Sequence, residues 1–325
     1  MTFRRRAFLQ LAAGAVALPA LSRIARAQSY PTRPVHLIVG FAPGGGNDIL
    51  ARLMGQWLSE RTGQQFVIEN RPGAGTNIAT EAVVHAAPDG YTLLLVGVSN
   101  AISPSLHAKL SFNFIRDITP VAGVVQTSLV MVVNPSTPVK TVAEFIAYAK
   151  ANPGKANMAS AGTGSIGHLA GEMFNMMAGV KMVHVPYRGN GPALAALLGR
   201  QVDVLFASLA SAIEHIRTGK LRGLAVTGAT RSAAQPDLAT VGESVAGYDV
   251  GTWYGVGAPK GTPVAFIDKI NREINAALAD PKNKARLADL GESPMPMSPA
   301  EFGKLIADET AKWAKVIKFA GIKPE

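Results

Sequence analysis

The chain has 325 residues, of which 48% are hydrophobic, and this is enough for two domains that each bury a core. It contains no cysteine, which excludes disulfides, thiolate metal sites and thiol nucleophiles. The formal charge is +10, but basic and acidic residues are interspersed and no basic run is interleaved with aromatic residues. We therefore expect no nucleic-acid partner. A positive field favours small anionic solutes instead.

The first 27 residues have the composition of a signal peptide. An arginine cluster at 4–6 precedes an apolar run over 7–21, and Ala25-Arg26-Ala27 fits a small-x-small cleavage site. We predict export to the periplasm with cleavage near Ala27, which lowers the formal charge to +5 because the leader holds five arginines and no acid. The Arg5-Arg6 pair before Phe8 indicates the twin-arginine route. An ordinary secretory signal with a basic start is the alternative.

Apolar, β-rich runs alternate with helical patterns through most of the remaining chain, which is typical of βαβ units and parallel sheets. In the first series, strands and helices alternate over residues 35–41, 48–61, 66–69, 77–85 and 92–96. In the second series, helices are predicted over 142–151, 166–178, 192–198 and 211–218, and strands over 157–160, 182–185, 202–206 and 224–227. We therefore predict an α/β fold with two mixed or parallel sheets flanked by helices.

Two long β-like stretches, residues 121–133 and 250–258, bracket the second series and are predicted to cross between two domains. The final part of the chain is predicted to be helical over 263–279, 283–290 and 299–320 and to return to the first domain. We therefore assign residues 1–27 to the signal peptide, 28–127 and 252–325 to domain 1, and 128–251 to domain 2.

A glycine loop lies between the first predicted strand and the first helix. Its residues are Phe41, Ala42, Pro43, Gly44, Gly45, Gly46, Asn47 and Asp48. Glycines let the backbone approach a ligand, and the helix N-terminus adds free N–H groups and about half a positive charge. This combination can bind an anion, although a plain turn that needs positive φ is the alternative. Asp48 is either a ligand group or a helix-start residue that complements the dipole. No Gly-Lys-Ser/Thr follows, so a nucleotide-phosphate loop is not indicated.

A second glycine loop follows another predicted strand, from Ser160 to His168. Its glycines formally match G-x-G-x-x-G, but the next predicted strand carries no acidic residue for a ribose. The hydroxyls of Ser160, Thr163 and Ser165 fit a carboxylate better, because each can donate a hydrogen bond beside the backbone N–H groups. One such loop in each domain would face the other across a cleft, where ligands of open α/β sheets bind.

Catalytic and metal sites are not indicated. The six histidines never pair at i, i+3 or i, i+4 and no acidic cluster accompanies them, so we predict no metal and interpret each as structural or exposed. Ser165 lacks the preceding glycine of the G-x-S-x-G nucleophile elbow. Trp253 and Tyr254 either line the cleft or pack in the core. We predict no enzyme activity and no cofactor, because no nucleophile, base and orienting group share a predicted cleft.

Nine short segments keep a specific order along essentially all of the mature chain. They are residues 30–35, 41–52, 69–75, 87–94, 160–169, 185–189, 201–203, 219–222 and 258–263. In this order they resemble the Bug family, the periplasmic solute-binding receptors of tripartite tricarboxylate transporters. The sequence departs from the family pattern at 235–240, where Leu-Pro-Asp-Val-Pro-Thr is more usual, and at Ala207, where a polar residue is frequent.

The resemblance implies a two-lobed periplasmic binding protein fold, type II-like, in which both chain ends form one lobe. It implies that backbone groups of the first glycine loop grip a ligand carboxylate with ordered waters and without an arginine clamp. The implied ligand-binding residues are Phe41, Ala42, Pro43, Gly44, Gly45 and Asp48 on one wall, Ser99 and Asn100 at the adjoining strand end, Ser160, Gly162, Thr163, Gly164 and Ser165 on the opposing wall, and Asp203 and Ser208 at the floor.

In function, the resemblance implies a monomeric receptor that captures a small carboxylate between its lobes and delivers it to the membrane subunits of a tripartite transporter. Two alternatives stay open. One is a dinucleotide-dependent enzyme built on the Gly162 loop, which binding of a nicotinamide cofactor would indicate. The other is a receptor whose occupancy reports to a signalling partner.

Overall fold

The fold was analysed in a computed structural model, which describes residues 30–107 and 109–319. The predicted leader and its cleavage site lie outside these residues. All the helices and strands named below belong to the unit Arg33–Glu325. None of the described helices is both long and apolar enough to cross a membrane.

The strands form where aliphatic and β-branched residues run together, and β1 and β7 are almost entirely buried. Such continuous apolar runs suit sheets that helices cover on both faces. The described strands are β1 (Val35–Val39), β2 (Phe66–Asn70), β3 (Thr92–Gly97), β4 (Ile118–Val133), β5 (Asn157–Ser160), β6 (Val183–Pro186), β7 (Val204–Ser208), β8 (Arg222–Val226), β9 (Ala239–Thr240), β10 (Gly251–Pro259) and β11 (Ser293–Pro294).

The helices begin and end at residues with the expected chemistry. Thr141, Ser165 and Asp280 accept backbone N–H groups at helix starts, and Gly63 and Gly179 end helices in the left-handed conformation. The described helices are α1 (Gly46–Thr62), α2 (Asn77–Val84), α3 (Val98–Leu106), α4 (Phe114–Asp117), α5 (Val142–Ala151), α6 (Ile166–Ala178), α7 (Asn190–Leu198), α8 (Leu209–Arg217), α9 (Val264–Ala279), α10 (Pro281–Asp289) and α11 (Pro299–Phe319).

The strands follow the order β2-β1-β3-β10-β4-β7-β5-β6. β1, β2 and β3 are parallel to one another, as are β5, β6 and β7. β10 and β4 run antiparallel between these two groups. Short strands complete the edges, with β8 and β11 antiparallel to β4 and β9 parallel to β8. The predicted α/β class, with two parallel groups and crossing strands, is confirmed.

β4 joins the two groups of strands. It pairs with β10 from Ile118 to Ser128 and with β7 from Leu129 to Val133, so its partner changes between Ser128 and Leu129. β10 begins at Gly251, opposite Ser128. At about 3.3 Å per residue, this 16-residue strand spans roughly 50 Å. The two predicted sheets are therefore continuous through β4.

Helix α3, which lies beside the candidate site described below, was not predicted from the sequence. The resemblance implied only a strand end there, at Ser99 and Asn100. Pro104 lies inside α3, and the helix buries Val98, Ala101, Ile102 and Leu106. α3 packs against α11, far away in sequence. Tertiary packing, rather than local propensity, therefore stabilises α3.

The C-terminal helices pack against the first part of the chain, α9 on β4 and α1, and α11 on β4 and α3. Trp253 on β10 meets Phe302 of α11 edge to face, with 5.6 Å between ring centroids. Its indole N–H donates to Glu309 at 3.3 Å. Of the two interpretations left open for Trp253, packing is the one observed.

Candidate functional site

Loops from both groups of strands meet around a small cavity, called here the inner cavity. It leaves about 20 Å³ for the centre of a water molecule, which is room for about one water. Phe41 follows β1, Ser99 follows β3, Ala161 follows β5 and Tyr254 lies on β10, and all four line it. None of its lining residues carries a formal charge. The cavity thus lies at the carboxyl ends of parallel strands, where α/β proteins bind ligands.

A wider cavity of about 460 Å³, called here the outer cavity, adjoins the inner one. Gly40, Phe41, Thr76 and Ala161 line both. The outer cavity is also lined by Gly162, Thr163, Tyr187, His107 and the exposed Arg188.

Four helix N-termini converge on the inner cavity. Its lining includes Asn47 from the first turn of α1, Ser99 and Asn100 from that of α3, Ser165 at the start of α6, and Asn190 at the start of α7. A helix start carries N–H groups without intrahelical partners and a partial positive charge. The cavity can therefore attract an anion without a charged side chain.

The first glycine loop presents fewer free N–H groups than the sequence indicated. Gly44 has a positive φ of 84°, and its N–H donates to Asp48 Oδ2 at 3.0 Å. In this structure the N–H of Gly44 is therefore engaged within the protein. Gly45, at the N-cap of α1, has no side chain to cap the helix, so the following first turn of α1 keeps uncapped N–H groups.

Asp48 holds the first glycine loop in place through hydrogen bonds inside the protein. Its buried carboxylate accepts from Gly44, from both ends of the Arg52 guanidinium at 2.9 and 3.0 Å, and from Asn70 Nδ2 at 3.0 Å. Burial acts to raise the pKa of Asp48, but the hydrogen bonds from Arg52, Gly44 and Asn70 outweigh it and lower the pKa below its usual value. With these bonds Asp48 orders the loop and the start of α1.

The middle of the first loop lies against the loop between β6 and α7. The N–H of Ala42 donates to the carbonyl oxygen of Arg188 at 2.9 Å, and the carbonyl oxygen of Pro43 faces Gly191. Ala42 and Pro43 therefore contact the opposing loop, and neither lines the inner or the outer cavity.

Gly46 and Ser208 touch beside this contact. A Cβ added at Gly46 would overlap Ser208 Oγ and lie 2.7 Å from Ser208 Cβ. Ser208 is fully buried at the end of β7, and its Oγ has no hydrogen-bond partner among the described residues. Unpartnered buried hydroxyls of this kind are costly unless water or a ligand satisfies them. Thr252 is also buried and lines the inner cavity, where its hydroxyl interacts with the Tyr254 phenol.

Asn100 and Thr76 connect the start of α3 to the segment before α2. Asn100 Oδ1 accepts the N–H of Gly97 at 2.9 Å, and its Nδ2 donates to Thr76 and Thr80 at 3.1 and 2.9 Å. The side chain of Asn100 is thus fully engaged within the protein. Ser99 is buried beside it and lines the inner cavity.

The second glycine loop contributes to both cavities. Ser165 lines the inner cavity and accepts the N–H of His168 at 3.3 Å as the N-cap of α6. Gly162 and Thr163 line the outer cavity. Ser160 and Gly164 line neither, and instead hydrogen-bond to histidines behind the loop.

Asp203 lies away from these residues, and its predicted place at the floor is corrected. It precedes β7 and accepts the N–H of Asn157 at the start of β5 at 2.7 Å. Ser160 and Ser208 end the same two strands. Five residues of strand separate Asp203 from Ser208, or roughly 16 Å. A parallel sheet places a residue before a strand at the edge opposite its ligand site.

Sequence reasoning missed several cavity residues, chiefly Gly40, Asn47, Thr76, Asn190 and Thr252. A signal for Asn190 existed, since Gly189-Asn190-Gly191 is a third glycine-rich junction between a strand and a helix. Tyr254, left open between cleft and core, lines the inner cavity. In the part of the chain that the structure describes, no three His, Asp or Glu side chains lie close enough to hold a metal ion.

The chain matches the family model described as "Tripartite tricarboxylate transporter family receptor" over residues 50–322. It is also similar to solved structures. A structure titled as an R. palustris protein with adipate is 36% identical with a TM-score of 0.89, covering 91% of this chain and 100% of the other. The periplasmic binding protein BugD is 35% identical with a TM-score of 0.88 and the same coverage. MatC from Rhodopseudomonas palustris, with bound malate, is 33% identical with a TM-score of 0.84, covering 89% and 100%.

Proposed function

The chain belongs to the tripartite tricarboxylate transporter receptor family, and from this premise we propose that it captures a small carboxylate in the periplasm and delivers it to the membrane subunits of a tripartite transporter. The observation that carries the proposal is the convergence of four helix N-termini on an uncharged inner cavity. Relatives solved with adipate and malate support a carboxylate as the ligand class. We also propose that the receptor is a monomer and that the membrane subunits of the transporter are its partners.

The carboxylate group is proposed to bind where the inner and outer cavities meet, because the inner cavity by itself has room for about one water. The uncapped first turn of α1 and the hydroxyls of Ser99 and Ser165 are its donors, Phe41 covers it, and Ser208 contacts the start of α1 at Gly46. Gly162 and Thr163 contact the outward part of the ligand. In this revised set Gly45 contributes through the start of α1, whereas Asp48, Asn100, Ser160 and Gly164 act by holding the loops in place.

The ligand is proposed to lie between two lobes, residues 28–127 with 252–325, and residues 128–251. The change of partner in β4 between Ser128 and Leu129 supports one boundary, and the start of β10 at Gly251 supports the other. We propose a binding function without catalysis. Membership of a receptor family supports it, as does the role of Ser165, which caps helix α6 by accepting the N–H of His168.

Titration calorimetry with adipate and malate tests the ligand class. We expect at least one of the two to bind and the neutral adipamide, of the same chain length as adipate, not to bind, because only a carboxylate gains from helix N-termini. Ser165→Ala is expected to weaken binding by about 1–3 kcal/mol, the cost of losing a hydrogen bond to a charged group. The exposed Ser244→Ala is the matched control. Equal binding of adipate and adipamide would contradict the anion site.

Export is tested separately from binding. Because of the arginine pair and the Ala-Arg-Ala site, the intact mass of the periplasmic protein should correspond to a chain starting at Gln28 or within a residue or two of it. Changing Arg5 and Arg6 to lysine should block export by the twin-arginine route. Undiminished export of that variant would leave the general secretory route, and accumulation of the uncleaved wild-type chain in the cytoplasm would count against export.

A further inference from the structure

Two imidazoles stack directly behind the second glycine loop. His168 lies in the first turn of α6 and His184 on β6, with ring centroids 3.9 Å apart and ring planes 18° from parallel. His168 is buried and 8% exposed. These two residues are 16 positions apart, so no sequence pattern connects them. The proposed ligand contacts do not include them.

Each imidazole holds one part of the loop. The N–H of Gly164 donates to His168 Nδ1 at 3.3 Å. Ser160 Oγ hydrogen-bonds with His184 Nε2 at 2.6 Å and accepts the N–H of Gly162 at 3.0 Å. The residues between these anchors, 161–163, are those that line the two cavities.

We propose that His168 and His184 are positioning residues that keep the second glycine loop in its ligand-contacting shape only while His168 is neutral. That a ligand contacts this loop rests on the proposed function. The effect of His168 on the shape of the loop does not depend on it. His168 Nδ1 can accept from Gly164 only when that nitrogen carries no proton. The proton of the neutral ring then sits on Nε2, which lies 4.0 Å from Glu172 Oε1.

The surroundings favour the neutral rings. Burial, with a smaller contribution from the neighbouring His184, lowers the pKa of His168 to about 4. Burial likewise lowers the pKa of His184 to about 4. Glu172 on α6 is the carboxylate facing the pair, whereas β5 and the loop contribute Ser160 and Gly164. Because burial outweighs the distant carboxylate, both rings are uncharged at neutral pH.

Acid has different effects on the two rings. A proton on His168 Nδ1 would face the N–H of Gly164, so two donors would oppose each other and that anchor would break. A proton on His184 leaves Nε2 able to donate to Ser160 Oγ. A lowered folded-state pKa means that the anchor is intact above the usual pKa of 6.5 and is lost as the pH falls through about 4.

The first experiment uses the protein without ligand. In ¹H–¹⁵N spectra recorded from pH 7 to pH 4, we expect the Gly164 amide of the wild type to shift and lose hydrogen-exchange protection as His168 Nδ1 becomes protonated. His168→Asn keeps an acceptor at the Nδ1 position and cannot titrate, so its Gly164 amide should be insensitive to pH. His168→Leu should lack protection throughout, and the exposed His85→Asn should behave as wild type.

The second experiment measures dissociation constants for adipate and malate over the same range. We expect the wild type to lose about twofold more affinity than His168→Asn between pH 7 and pH 4, because about half of His168 is protonated at pH 4. Protonation of the ligand affects both proteins equally. Parallel loss in the two proteins would overturn the proposal, as would a wild-type Gly164 amide that stays protected while His168 Nδ1 is protonated. If neither probe binds, the proposed function fails, but the ligand-free spectra still decide the role of His168.

Discussion

Replacing Glu292 by glutamine is expected to raise the free energy of unfolding at pH 9 by roughly 4 kcal/mol more than at pH 5. Glu292 precedes β11 and is 3% exposed, and neither carboxyl oxygen has a hydrogen-bond partner among the described residues. Burial raises its pKa to about 8. Tyr254 is its titratable neighbour, and burial and then the charge of Glu292 raise the pKa of that phenol.

The sign of this pH dependence of stability follows from proton binding to Glu292. Between the usual pKa of 4.5 and about 8, the folded protein keeps a proton on Glu292 that the unfolded chain has lost. Folding stability therefore falls as the pH rises through this window, at about 1.4 kcal/mol per pH unit. Glutamine resembles the protonated acid and never ionises, so the variant escapes this loss.

Thermal unfolding of both proteins at pH 5 and pH 9 measures the effect. Glu214→Gln, on an exposed turn of α8 with a side chain 71% exposed, is the control and should show no such difference. A gain from Glu292→Gln that is equal at the two pH values would mean that Glu292 does not titrate between them.

Gly46→Ala is expected to lower the affinity for adipate or malate at least a hundredfold while leaving the fold intact. The added Cβ overlaps Ser208 Oγ, so the first glycine loop could not reach its position against β7. Opening of the two proposed lobes would relieve this overlap, and alanine is tolerated at the first position of a helix, so the melting temperature should change little. Lost binding together with kept stability separates a blocked contact from misfolding.

The double variant Gly46→Ala/Ser208→Gly provides the decisive control. Once the Ser208 side chain is removed, the overlap is gone, and Tyr254 Oη lies 4.0 Å from the new Cβ, which is an ordinary contact. Affinity should therefore recover to that of Ser208→Gly alone. Small-angle scattering should show ligand-induced contraction in the wild type and none in Gly46→Ala, because closure needs this contact. Wild-type affinity in Gly46→Ala would show that binding does not need the contact between Gly46 and Ser208, and would contradict this prediction.

The sequence by itself determined the fold class and the places where loops could bind an anion. Helix α5 was predicted over 142–151 and α6 over 166–178, and both are observed at those bounds. Local signals suffice here, because apolar periodicity reports which side of an element is buried. Glycine before a helix start likewise reports local backbone needs. The order of β-rich and helical segments then favours parallel sheets.

Only the tertiary structure decided which residues of those loops face the cavity. Asp48 binds Arg52 and Asn70, Gly46 meets Ser208, and Ala42 bonds to Arg188. Apart from the i, i+4 pair Asp48–Arg52, these partners are far apart in the chain, so no periodicity or spacing encodes them. The stacking of His168 on His184 and the isolation of Glu292 have the same origin. Burial and hydrogen-bond satisfaction depend on how distant segments pack, and they determine whether a polar side chain contacts a ligand or holds a loop.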